Sequence, residues 1–134
     1  MTLQLIKKHV LIVEDDLLLQ QALYRKMVDA DFEVSSASDG EEGLDAALTK
    51  HPDIILMDLI MPRMNGTTMM SQLRSDEWGK NVPIIILTNQ EPDDQMVAQL
   101  MTDQPSYYLI KANTQLEEVV SKAREVLAIS DEQS

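Results

Sequence analysis

Cysteine is absent from the 134 residues, which excludes disulfides, thiolate catalysis and thiolate-ligated metals. That absence fits a reducing compartment. Aromatic residues are nearly missing too: one Trp, one Phe and three Tyr leave the core to Leu, Ile, Val, Met and Ala. The nine Met serve mostly as adaptable core filler. Basic residues are outnumbered, 11 Lys and Arg against 23 Asp and Glu, for a formal net charge of -12. A binder of phosphate backbones needs clustered positive charge, so no nucleic acid partner is expected. No apolar run is long enough to span a bilayer, and Met1 to Lys8 lacks the apolar stretch of a secretory signal. A cytoplasmic protein with no membrane partner is expected. It reads as one domain over residues 1–134, with a core from 7 to 128 and a short polar tail at 129–134.

Strand-like runs occupy His9 to Val13, Phe32 to Ser36, Asp53 to Met57, Pro83 to Leu87 and Ser106 to Ile110. The segments between them have helical spacing. Leu19, Ala22, Leu23 and Met27 form one stripe, and Leu44, Ala47 and Leu48 another. Leu116, Val119, Val120, Ala123 and Leu127 form the last, with Thr114 and Glu117 expected to make a capping box. Asp39-Gly40 opens the second helix and His51-Pro52 closes it, because a residue before proline avoids the helical region. Gly66 opens the third helix, and Glu91-Pro92-Asp93 the fourth, with proline expected near the first turn. Strand and helix alternate five times. That order favours an α/β fold with a five-stranded parallel sheet and helices on both faces.

In such sheets, ligands bind beyond the carboxyl ends of the strands. Four apolar runs end there in polar groups: Glu14-Asp15-Asp16, Asp58, Thr88 and Lys111. Glu14, Asp15 and Asp58 are candidates to hold a hard divalent cation. Magnesium suits them, since it takes oxygen ligands and is commonly held by one or two carboxylates. Asp16 reads instead as a helix N-cap. The Asp58 carboxylate is a candidate nucleophile toward phosphorus, with Lys111 offsetting charge on the phosphoryl oxygens and Thr88 donating a hydroxyl.

The pieces Val13-Glu14-Asp15-Asp16, Met57-Asp58, Met61-Pro62-Arg63-Met64-Asn65-Gly66, Leu87-Thr88 and Tyr108-Leu109-Ile110-Lys111 occur in this order. On them the chain resembles the receiver domain of two-component response regulators, from Lys7 to about Ala128. The resemblance implies a flavodoxin-like (βα)5 fold with sheet order 2-1-3-4-5. It implies that Asp58 accepts a phosphoryl group from a sensor histidine kinase or a phosphotransfer protein. Asp15 and Asp58 would then ligate Mg2+ directly, Glu14 through water and Ile60 through its backbone carbonyl. Thr88 and Tyr108 would be the switch pair, repacking the face of the fourth helix, fifth strand and fifth helix. That face, with Met96, Leu100 and Tyr108, would meet an unknown protein target, although Leu100 reads as plain packing.

Three residues depart from the family pattern. Members usually carry a cis-proline after the lysine, where this chain has Ala112. A cis bond before another residue costs about 3–4 kcal/mol, so this loop is expected to rearrange and displace Lys111. Asn89 is bulkier than the small residue usual after the switch threonine and is expected to crowd the phosphoryl group. Ile60 puts an apolar side chain on the same rim, and slow self-dephosphorylation is expected. The chain is expected to be a stand-alone phosphorylation switch rather than an enzyme. A haloacid-dehalogenase-like phosphatase is the enzyme alternative. That family needs an acid two residues after the nucleophile, where this chain has Ile60. A degenerate receiver that binds partners without phosphorylation is the other alternative; the intact Glu14, Asp15, Asp58, Thr88 and Lys111 argue against it.

Overall fold

A computed structural model describes residues 6–133, with side chains through Ala128. Strand and helix alternate as β1 (His9–Val13), α1 (Leu17–Asp29), β2 (Glu33–Ala37), α2 (Gly40–Lys50) and β3 (Ile54–Met57). They continue as α3 (Gly66–Arg74), β4 (Ile84–Thr88), α4 (Asp94–Asp103) and β5 (Tyr107–Ile110). A 3-10 turn (Lys111–Asn113) then leads into α5 (Leu116–Gln133). The sheet is parallel throughout and ordered β2-β1-β3-β4-β5. Among the described residues, no helix is long and apolar enough to cross a membrane.

The inner strands are apolar on both faces because helices cover both. Val10, Ile12, Ile54, Leu56, Ile85 and Leu87 face one way and pack against Leu23 and Met27 of α1 and Val119, Val120 and Ala123 of α5. Their neighbours Leu11, Val13, Ile55, Met57, Ile84 and Ile86 face the other way, onto Ala47 of α2 and Met69, Met70 and Leu73 of α3. Met96 and Leu100 of α4 pack against that second cluster, as expected of Leu100. Truncating one of these fully buried side chains to Ala costs about 2–5 kcal/mol. β2, at one edge, is shorter of apolar residues and reads Glu-Val-Ser-Ser-Ala.

Several local expectations need correction. The capping box does not form. The 3-10 turn places Thr114 one residue too early, and its hydroxyl donates to the Ile110 carbonyl at 2.8 Å. Gln115 opens α5 instead, its carbonyl accepting from Glu118 and Val119, while Glu117 pairs with Lys26 at 2.6 Å. Pro92 does stand near the first turn of α4, directly before the cap Asp93, whose carboxylate accepts from Met96 N at 2.8 Å. Ala22 and Leu48 are exposed, whereas the polar Gln20 is buried. Residues 129–133 continue α5, since no Gly or Pro interrupts them, and Ser134 lies outside the described residues. The Met1 to Leu5 part of the leader expectation also lies outside them.

Candidate functional site

Every strand in a parallel sheet ends at the same edge, so β1, β3, β4 and β5 bring their last residues together there. Glu14 follows β1, and its N–H continues the ladder to the Ala37 carbonyl at 3.0 Å. Asp58 follows β3, with its N–H on the Val13 carbonyl at 3.0 Å. Both acids are buried, at 2% and 6% exposure, while Asp15 is exposed. Oxygens of Glu14, Asp15 and Asp58 all lie within 4.8 Å of one another.

Lys111 completes this edge. Its ammonium is 2.7 Å from Glu14 Oε1 and 2.7 Å from Asp58 Oδ2. The expected displacement of Lys111 is therefore not found. No peptide among the described residues is cis, and the trans Lys111–Ala112 backbone winds into a 3-10 turn that still aims the side chain inward. Burial alone would lower the Lys111 pKa, but the hydrogen bonds and charges of Asp58 and Glu14 outweigh it and the net shift is upward. Burial raises Glu14, with Lys111 and the Asp16 N–H pulling the other way.

Backbone amides fix the direction of the Asp58 carboxylate. Oδ1 accepts from Leu59 N at 2.7 Å and from Ile60 N at 3.3 Å, so Oδ2 is the oxygen that meets Lys111. The loop behind it is held closely. A Cβ on Gly66 would come within 2.3 Å of the Asp58 carbonyl oxygen, so only glycine lets α3 start this near β3. Gly40 plays the same part against the Met64 carbonyl, 2.0 Å from where its Cβ would stand. Arg63, in the left-handed region at φ 64°, reaches Asp39 with its guanidinium at 2.7–2.8 Å. Asp39 is buried and also caps α2 through Glu42 N. That N–H and then Arg63 hold its carboxyl below the usual range.

Thr88 ends β4, fully buried, and its Oγ1 accepts from Gln90 N at 3.4 Å. Tyr108, half-buried on β5, donates its hydroxyl to the Gln90 carbonyl and lies 3.8 Å from Met96 Sδ. The two ends of one residue thus join Thr88 to Tyr108. Burial, then Glu91 and Asp58, raise the Tyr108 hydroxyl, which keeps it a donor. Asn89, exposed just past the end of β4, accepts from Ala112 N through its Oδ1 at 3.0 Å. Ile60 is 60% exposed on that rim.

Two contributors were missed in the sequence. Gln20 donates to the carbonyls of Glu14 at 2.8 Å and Ala37 at 3.1 Å, anchoring α1 to the strand ends. Its signal was an amide between Leu19 and Leu23 on the buried face. The Asp39–Arg63 pair gave none, since 24 residues separate the partners. A cavity of about 540 Å³ opens at the opposite end of the sheet, by Pro83 and Ser106. Arg74, on its wall, is already bonded to the carbonyls of Gly79, Val82 and Asp103.

A family model for the response regulator receiver domain matches residues 10–124. The response regulator MprA of Mycolicibacterium vanbaalenii is 32% identical over 118 residues, which cover 88% of this chain and 49% of that protein. MprA of Mycobacterium avium is 32% identical over the same length, at 88% and 50% coverage. The chain thus spans about half the length of the curated relatives it matches. Among solved structures, the chemotaxis protein CheY4 of Vibrio cholerae is 26% identical with a TM-score of 0.81, over 90% of this chain and 99% of that one. A CheY-like receiver domain protein of Methanospirillum hungatei has a TM-score of 0.88 over 96% and 100%, a likeness of fold at 19% identity. The match begins in β1 and runs into α5, taking in every strand of the sheet: the chain belongs to the response regulator receiver domain family of two-component systems.

Proposed function

We propose that this receiver accepts a phosphoryl group on Asp58 from the phosphohistidine of a sensor histidine kinase or a phosphotransfer protein. The observation that carries the reading is the Lys111 ammonium held at 2.7 Å by two buried carboxylates, one of them Asp58. The donor set also fits a hard cation: three clustered carboxylates face a single ammonium. Asp15 and Asp58 would hold Mg2+ directly, Glu14 through water, and Ile60 through its carbonyl. Bound there, the ion supplies positive charge beside the phosphoryl oxygens.

The chain's own groups do the rest. An Asp58 oxygen attacks phosphorus in line; the P–N bond breaks and its electron pair stays on the imidazole nitrogen of the donor. The Leu59 and Ile60 N–H groups keep the carboxylate from rotating. Lys111 exchanges carboxylate contacts for phosphoryl oxygens. Thr88 turns its hydroxyl from Gln90 N to the phosphoryl group, and through Gln90 the change reaches Tyr108. Ligand contacts that differ between the two states shift their balance, so Thr88 and Lys111 set the switching energy. The output is a protein contact on the α4–β5–α5 face, where Val97 and Met101 of α4 are exposed. Catalysis ends with the chain's own phosphoryl group, because Ile60 offers no acid for turnover of a phosphate ester.

Incubation with acetyl phosphate and Mg2+ tests the reading. The expected product is an acyl phosphate that hydroxylamine cleaves. A hydroxylamine-stable phosphate, or none, argues against Asp58 as acceptor.

A further inference from the structure

We infer that Asn89 is a positioning residue for Lys111, acting through the backbone N–H of Ala112; the inference rests on the phosphoacceptor reading above. The β4–β5 ladder ends at the pair Thr88 and Ile110. Asn89 and Lys111 come next, where backbone pairing stops. There the Asn89 side-chain carbonyl takes over and accepts from Ala112 N at 3.0 Å, across 23 residues.

The need for this contact lies in the 3-10 turn. The first N–H groups of a helical turn have no acceptor within it, and Ile110 provides no side-chain cap here. The turn closes on itself through a 3.3 Å bond from Thr114 N to the Lys111 carbonyl. Lys111 is its first residue, so the setting of the turn decides where a four-carbon side chain starts toward Glu14 and Asp58. Asn89 thus ties the residue after Thr88 to the residue after Lys111, and the two groups meant to read a phosphoryl keep a fixed separation. Proline at position 112 would bring no N–H and need no acceptor opposite. Asn89 and Ala112, which both depart from the family pattern, therefore work as a pair.

The tie is exposed, so water can replace it at little expense to folding. Positioning and stability should come apart on that account. The experiment measures phosphorylation of the full chain by acetyl phosphate with Mg2+ for the parent, Asn89→Ala, Ala112→Pro and the double variant. Thermal midpoint and amide exchange at residue 112 are followed alongside. Asn89→Ala is expected to phosphorylate about fivefold more slowly with an unchanged midpoint and faster exchange at Ala112. In the Ala112→Pro background the same substitution is expected to change nothing, since the donor is already gone. Asn89→Asp, which keeps an acceptor oxygen, is expected to retain protection at Ala112. An unaltered rate in Asn89→Ala, unaltered exchange at Ala112, or effects that multiply in the double variant would each overturn the inference. A parent chain that takes up no phosphoryl group overturns the phosphoacceptor reading, and this inference falls with it.

Discussion

Lys111 Nζ stands 2.7 Å from Asp58 Oδ2, bridging the end of β5 to the end of β3 across the intervening β4. A second contact at 2.7 Å reaches Glu14 after β1, so one ammonium gathers three strand ends. Both carboxylates are withdrawn from water, and each lacks another cation among the ion pairs of the described residues.

Removing that ammonium leaves two buried acids facing each other. Lys111→Met is expected to lose about 2 kcal/mol at neutral pH, less than a fully buried pair because the lysine is partly exposed. The deficit should narrow in acid, as Glu14, raised above its ordinary 4.5, takes up a proton in both proteins. It should also close in alkali. The lysine pKa is raised in the folded chain, so the stability it adds is present below 10.5 and lost as pH rises through the higher folded value. Urea unfolding across pH measures all three; a deficit independent of pH would show that packing, not charge, is lost.

Asp39 gives the opposite sign. Its folded carboxyl is held below the ordinary 3.8 by Glu42 N and Arg63, so the stability it adds is present above that value and lost as pH falls through the lower one. Asp39→Asn is expected to be less stable than the parent near neutrality and to converge with it in acid below pH 3.8. Persistence of the full difference at pH 2–3 would contradict the ionic part of this staple.

How much of this was legible beforehand depended on range. Val10 to Val13 and Ile84 to Leu87 announce buried strands by composition alone, and their alternation with helical segments announces a parallel sheet. Glu14, Asp58 and Lys111 were recognisable because each directly follows such a run. Contacts between distant loops were not. Asn89 shows its bulk in the sequence but not the contact of its Oδ1 with Ala112 N, and Arg63 gives no sign of its reach to Asp39. Side chains whose partners lie 20 or more residues away leave no periodic trace.

Magnesium should bind the acid cluster and stabilise the fold, because only the folded chain assembles it. At about a hundredfold excess over its dissociation constant, a ligand adds about 2.7 kcal/mol. A rise in thermal midpoint with Mg2+ is expected for the parent and none for Asp15→Asn. Equal shifts in the two proteins would place the ion elsewhere.

On the proposed phosphorylation of Asp58, Ile60 is expected to lengthen the lifetime of the phosphorylated form. Its exposed side chain borders the approach to Asp58 and cannot orient a water, whereas Asn89 is turned toward Ala112. Ile60→Asn is expected to release phosphate about tenfold faster, a change of about 1.4 kcal/mol in barrier. Release at the parent's rate would exclude the rim as the controlling barrier.

The acceptor itself is tested most directly by intact mass. The full chain is treated with acetyl phosphate and Mg2+ beside Asp58→Asn, a variant that keeps the side chain's size and removes its nucleophilic charge. The expected result is the mass of a single phosphoryl group added to the parent and none to the variant. Equal addition to both proteins, or none to the parent, would contradict Asp58 as the phosphoacceptor.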